Sequence, residues 1–257
     1  MKFFFVLLLI ISKANAWTLS NSGLSGFQTS STVDVFITGN NCTNISLTTA
    51  QMQTLVTDAI ATFWNSVPSS SLHLNFKNAT SFDSSNSDLN DLLNNAGSNN
   101  QIHVGCSSNA TLFSSGTTLA VGSMACISNT DCRGGVLLND TASTQLNSVS
   151  NDVFKSVFAH ELGHALGIGH TSVPEALMYY SASNKLQKKL NQDDIDAVTY
   201  LYPNEKKLSG VAGACGSISS VSNNSNQNFI LSLIFGILIL SLTKIKFKNL
   251  FNRQRNF

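Results

Sequence analysis

The residues best placed to do chemistry fall in one run, HELGHALGIGH, from His160 to His170. On a helix, side chains four apart project from successive turns of the same face, so His160 and His164 can reach one divalent ion. Glu161 follows the first of them and projects beside such an ion, where a carboxylate can take a proton from water rather than ligate. A continuing helix would carry a third ligand past the metal. Gly167 and Gly169 lower helix propensity and permit a positive φ, so the chain can turn and bring His170 back. Three protein ligands leave one coordination position open, which separates a catalytic zinc site from a closed structural one. The plainer reading, a surface histidine pair on an amphipathic helix, leaves His170 and the glycines unexplained.

The elements that must position these groups can be read from periodicity. The spacing predicts a helix over Asn151–Gly167, with Phe154, Val157, Phe158, Leu162 and Ala165 as its apolar face. An earlier amphipathic helix opens at Thr48, with Gln51 three residues on, carries Met52, Leu55, Val56, Ala59, Ile60 and Phe63, and stops near Val67. A last helix is capped by Asn191, buries Ile195, Val198, Leu201 and Tyr202, and ends at Pro203. Val33–Thr38, Leu72–Phe76, Gln101–Gly105, Leu119–Ser128 and Gly134–Asn139 are strand candidates between stretches rich in Ser, Asn and Gly. Thr18–Thr32 reads as a loose arm. The expected fold is therefore α+β, a twisted mixed sheet packed on helices.

The ends of the chain read as targeting segments. Residues 1–16 carry Lys2, an apolar run from Phe3 to Ile11 and a small-x-small ending at Ala14–Ala16, a secretory signal peptide with cleavage expected before Trp17. Residues 17–204 form the expected catalytic domain, and 205–228 a flexible polar linker. Residues 229–243 are apolar, and the basic tail 244–257 fits a stop-transfer end on the cytoplasmic side. The segment can also be read as a sorting signal, or as a lipid-anchor signal, which the basic flank fits poorly. Seven of the 15 Lys and Arg lie in these terminal segments, whereas all 14 Asp and Glu lie between Asp34 and Glu205. The exported part is thus acidic, which argues against nucleic acid as a partner. Five cysteines in an exported chain suggest two disulfides, with Cys126–Cys132 and Cys42–Cys106 preferred and Cys215 left over. Sequons stand at Asn41, Asn44, Asn78, Asn109 and Asn139.

The run from His160 matches HExxHxxGxxH, and the chain here resembles the metzincin metalloproteases. Pro174–Tyr179 is similar to the methionine turn of their matrixin branch, with Met178 eight residues after His170, and Leu190–Tyr202 resembles the closing helix of that branch. GVLLND, from Gly135, resembles the edge strand or loop that precedes its active-site helix. The resemblance implies a zincin-like fold and one catalytic zinc held by His160, His164 and His170. It implies Glu161 as base, Gly167 at the helix end and Met178 as an apolar floor beneath the histidines. For Tyr180 it leaves two roles open: an oxyanion donor, as in the astacin and serralysin branches, or a packing wall. LAVGSMA, from Leu119, stands where a ligand-bearing stretch would be, with Val121 in the histidine's place. No second zinc is therefore expected, and His73 and His103 read as ordinary strand residues. Cys42 lacks the latency motif of the family's propeptides, and calcium is possible but has no assignable ligands.

The function expected is hydrolysis of extracellular proteins or peptides by a monomeric, exported zinc endopeptidase, attached to a membrane by its C-terminal segment unless that segment is processed. Two rivals share the fold: a catalytically silent, surface-anchored binding module and a zinc amidase acting on cell-wall peptides.

Overall fold

In a computed structural model of the chain, residues 17–20, 26–27, 32–95, 100–128, 131–181 and 187–204 are described. The chain divides into two compact units at Gly210, and every described residue lies in the first, Met1–Gly210. The expected signal peptide (1–16), linker (205–228), apolar segment (229–243) and basic tail (244–257), with Cys215, lie outside the described residues. Among the described residues no helix is long and apolar enough to cross a membrane.

Five strands form the main sheet: β2 Thr32–Ile37, β3 His73–Ala79, β4 Gln101–Ser107, β5 Ala120–Ser128 and β6 Asp131–Asn139, with β1 Trp17–Leu19 set apart. Their order is β3-β2-β4-β6-β5, parallel throughout except for antiparallel β5 at one edge. Parallel neighbours need a crossover, and α1, Thr49–Thr62, supplies it between β2 and β3. Val33, Val35, Ile37, Ile102, Val104, Val136 and Leu138 are buried in one core with Met52, Val56 and Ile60 of α1. The same core takes in Val157, Phe158 and Leu162 of α3, Asn151–Ala165. Thr48 and Gln51 close the expected capping box on α1, which ends at Thr62 and gives way to a short 3-10 turn.

GVLLND proves to run along β6, an inner strand, with Asp140 just past its end. The edge beside α3 is β5, whose Gly122 meets the Glu161 backbone so closely that a Cβ would have no room. The arm is not loose throughout either. Trp17–Leu19 forms β1 and pairs antiparallel with β7, Ile168–Thr171. A second short helix, α2 at Leu89–Asn95, covers the other sheet face through Leu92. The last helix, α4, spans Gln192–Leu201.

Cys42 is bridged to Cys106, joining the loop before α1 to β4, with a Cα–Cα distance of 5.8 Å. Cys126 is bridged to Cys132 across the β5–β6 hairpin, where the two residues face each other.

Candidate active site

α3 starts where Ser150 accepts a hydrogen bond from Val153 N–H, with Asp152 in the first turn where the helix dipole favours an acid. Val157, Phe158, Leu162 and Ala165 of the expected stripe are buried and Phe154 is half-buried, while His160 and His164 lie on a half-buried flank. The helix ends at Ala165 and Gly167 takes a left-handed φ of +94°, the conformation that reverses a chain after a helix. β7 then carries His170 back toward the other two histidines. Gly169 does not use the positive φ that a glycine permits. Its missing side chain instead makes room for β1, since a Cβ there would meet Thr18 Oγ1 and lie 2.8 Å from Leu19 O.

The three histidines converge. Their donor atoms lie within 4.8 Å of one another, the one such cluster among the described residues. His160 Nδ1 is 2.7 Å from Leu177 O, and His164 Nδ1 is 2.8 Å from Ile168 O. A carbonyl can only accept, so both Nδ1 atoms carry the proton and both Nε2 atoms keep a lone pair. His164 Nε2 lies 3.2 Å from His170 Nε2. Two nitrogens bound tetrahedrally to one zinc at about 2.0–2.1 Å would stand about 3.3 Å apart, so this contact reads as two lone pairs aimed at one point. Burial, helped by His164, pushes His160 down to about 3, and burial pushes His164 down to about 4. His170 is lowered by the same cause. All three rings are neutral at neutral pH, the form that ligates. The donor set, its tautomers and its spacing fit zinc.

Glu161 and His160 line one cavity of about 210 Å³, walled by Thr118, Leu119, Ser156 and Tyr179. Burial raises the Glu161 carboxyl to about 8, against a hydrogen bond with the Gly122 backbone that lowers it. Tyr180 lines the same cavity, 66% exposed, with its ring 4.4 Å from that of Tyr179.

Met178 is fully buried, and its sulfur packs so closely on Gly163 that no Cβ fits there. Asp194 of α4 holds this turn. Its carboxylate accepts from Leu177 N–H at 2.8 Å, Met178 N–H at 3.0 Å and Asn191 N–H at 2.8 Å. Burial raises its pKa and the three N–H donors oppose the rise. Leu177 thus bonds Asp194 through its N–H and His160 through its carbonyl. The sequence shows Asp194 in the capping-box slot after Asn191, but nothing local points to its second pair of partners. Tyr202 was legible as a core residue only; its hydroxyl donates to Leu166 O at 2.8 Å and accepts from Phe27 N–H at 3.2 Å, fastening the end of α3.

Compared with known proteins, the chain matches the family model for matrixin over residues 37–203, well over half its length. The chain belongs to the matrixin family. The family is one of zinc metalloendopeptidases, in keeping with the donor set just described. This matrixin is 44% identical to matrilysin of Rattus norvegicus over 57 residues, 21% of each chain. It is 41% identical to neutrophil collagenase of Homo sapiens over 71 residues, 27% of this chain and 15% of that one. It is 40% identical to metalloendoproteinase 2-MMP of Arabidopsis thaliana over 57 residues, 22% of this chain and 15% of that one. The matched stretches thus span about a fifth or less of these relatives' lengths. His73 stands exposed on β3 and His103 buried on β4, on different strands of the matrixin sheet.

Proposed function

We propose that this matrixin is a zinc-dependent endopeptidase of extracellular proteins, with His160, His164 and His170 as the metal ligands and Glu161 as the catalytic base. The single observation that carries this reading is the convergence of three neutral imidazoles beside a buried carboxylate in an open cavity. Zinc held there would polarise the scissile carbonyl, activate a water molecule and draw the Glu161 pKa back down. Glu161 accepts a proton from the attacking water and returns it to the amide nitrogen as the C–N bond breaks. With its pKa drawn down by the ion, the carboxyl is ionised and can take the first proton, and its confinement beside His160 keeps the acid in place for the second. Among the described residues β5 has a free edge flanking the cavity, so an extended peptide can add to it as a further strand and be held along its main chain. Met178 supports the ligands from below, and Tyr180 at the cavity mouth is the candidate donor to the developing oxyanion.

Export by the 1–16 segment, attachment or processing at 229–243 and a monomeric state complete the proposal. They rest on sequence pattern and on the acidic charge of the part between the ends.

The test is zinc content and hydrolysis of casein by the purified chain, with and without a chelator. Glu161→Gln should keep zinc and lose about 10²–10⁴-fold in kcat. A parent chain that binds no zinc, or a variant that cleaves at the parent rate, refutes the assignment. Zinc without any cleavage would favour the binding module, and activity confined to cell-wall peptides the amidase.

A further inference from the structure

Hydrolysis uses none of the five sequons between Asn41 and Asn139, and the fold treats them differently. Asn139 is fully buried; its amide donates to Thr118 O at 2.7 Å and Ser115 O at 3.3 Å, and its oxygen accepts from Thr141 N–H at 2.9 Å. A sugar on that nitrogen would have no room and would break both donated bonds. The Asn44 amide donates to the Asp140 carbonyl. The Asn109 amide donates to Asn86 O at 3.2 Å while its oxygen accepts from Thr111 N–H at 2.9 Å. The Asn41 oxygen accepts from Thr49 N–H at 2.9 Å, at the start of α1. Asn78 is exposed, and among the described residues it alone of the five has neither end of its carboxamide engaged.

Its place in the sheet gives this freedom a consequence. Among the described residues β3 pairs only with β2 and is the outer strand opposite β5. Lys77, Asn78 and Ala79 at its end are all exposed. An open edge is a template for another chain, and proteins commonly guard it with free charges, prolines or a cover. β3 has no proline, and its single charge, Lys77, is drawn onto Asp34 at 3.3 Å.

We propose that Asn78 is an N-glycan acceptor whose oligosaccharide covers the open edge of β3. In a secretory pathway that carries the transferase, the Asn78 carboxamide nitrogen displaces a lipid-linked pyrophosphate from the anomeric carbon of the sugar. The N–C bond forms as the C–O bond breaks, and the nitrogen gives up a proton. A second strand must come within about 4.8 Å to pair, a distance the sugar occupies. The two edges are then sorted, with β5 left free beside the cavity and β3 masked. The inference does not depend on the hydrolase reading.

The test is the full chain secreted from yeast, with occupied sites mapped by glycosidase release in heavy-oxygen water and mass spectrometry. Folded, secreted protein should carry sugar at Asn78 and none at Asn139. Trimming the folded protein with an endoglycosidase, and separately Asn78→Gln, should each reduce the monomer fraction in sedimentation velocity, while Asn41→Gln should not. Peptide hydrolysis per mole should stay at the parent rate in both. An unmodified Asn78, or folded protein modified at Asn139, overturns the acceptor assignment. Equal monomer fractions with and without the Asn78 sugar overturn its covering role.

Discussion

Asp194→Asn should loosen the metal site from a position that touches neither metal nor substrate. The replacement keeps the shape but leaves one acceptor oxygen where there were two. If that oxygen serves Leu177 and Asn191, the new NH2 faces Met178 N–H; if it serves Met178, the NH2 faces the other two. Either way at least one bond to a charged group, about 1.5–3 kcal/mol, is exchanged for a buried N–H without an acceptor, a further 1–3 kcal/mol. A net loss of about 3–5 kcal/mol follows, or roughly 10 °C in Tm for a domain of this size. Because Leu177 O holds His160 Nδ1, the displaced turn also frees that ring, and zinc affinity should fall about 10–100-fold. Thermal unfolding by circular dichroism, with zinc and with chelator, reads the first effect; competition with a chromophoric chelator reads the second. Asp196→Asn, where the lost partner is the exposed Gln192 amide, should change neither. A Tm within about 2 °C of the parent together with unchanged zinc affinity would show that Asp194 does not hold the turn.

Gly163→Ala should destabilise by about 1–3 kcal/mol and weaken zinc binding although alanine favours a helix, because the new methyl would meet Met178 and lie 2.9 Å from Trp64; a higher Tm would contradict that packing. Cys42 and Cys106 close a sequence separation of 64 and Cys126 and Cys132 one of 6, so replacing the first pair by serine should cost about 4 kcal/mol and the second about 2 in denaturant titrations. The reverse order would remove the chain-entropy account. Burial lowers His103 to about 4 from 6.5. Its folded pKa lies below its unfolded one, so its share of stability is full above pH 6.5 and declines as pH falls toward 4. The slope is at most about 1.4 kcal/mol per unit. His103→Phe should flatten that window in urea midpoints measured at neutral and acid pH, and parallel profiles would count against it.

What was legible in the sequence was chemistry whose geometry is local. Two imidazoles four apart, a glycine at the helix end and the apolar stripes of α1, α3 and α4 depend on residues within a few turns of one another. The parts that escaped depend on partners distant in the chain. α2 offers only Leu89, Leu92 and Leu93 amid Asn and Asp, too short a run to show a period. β1 pairs with residues about 150 positions away, and Gly169 is small because of that pairing rather than for its backbone freedom. Asp194 shows its cap in the sequence but not its grip on the methionine turn.

The pairing of β1 with β7 bears on when the metal can be captured. Thr18 Oγ1 donates to the carbonyl of His170 at 2.8 Å, and Ser20 N–H donates to Gly167 O at 3.0 Å. A chain still emerging from a ribosome can form the helical histidine pair early, and Met178 O accepts from Thr171 N–H at 3.0 Å nearby, but the pairing of β7 with β1 waits until the first and last thirds of the domain meet. On the proposed ligand set, tight zinc uptake should then report that this pairing of distant strands has formed.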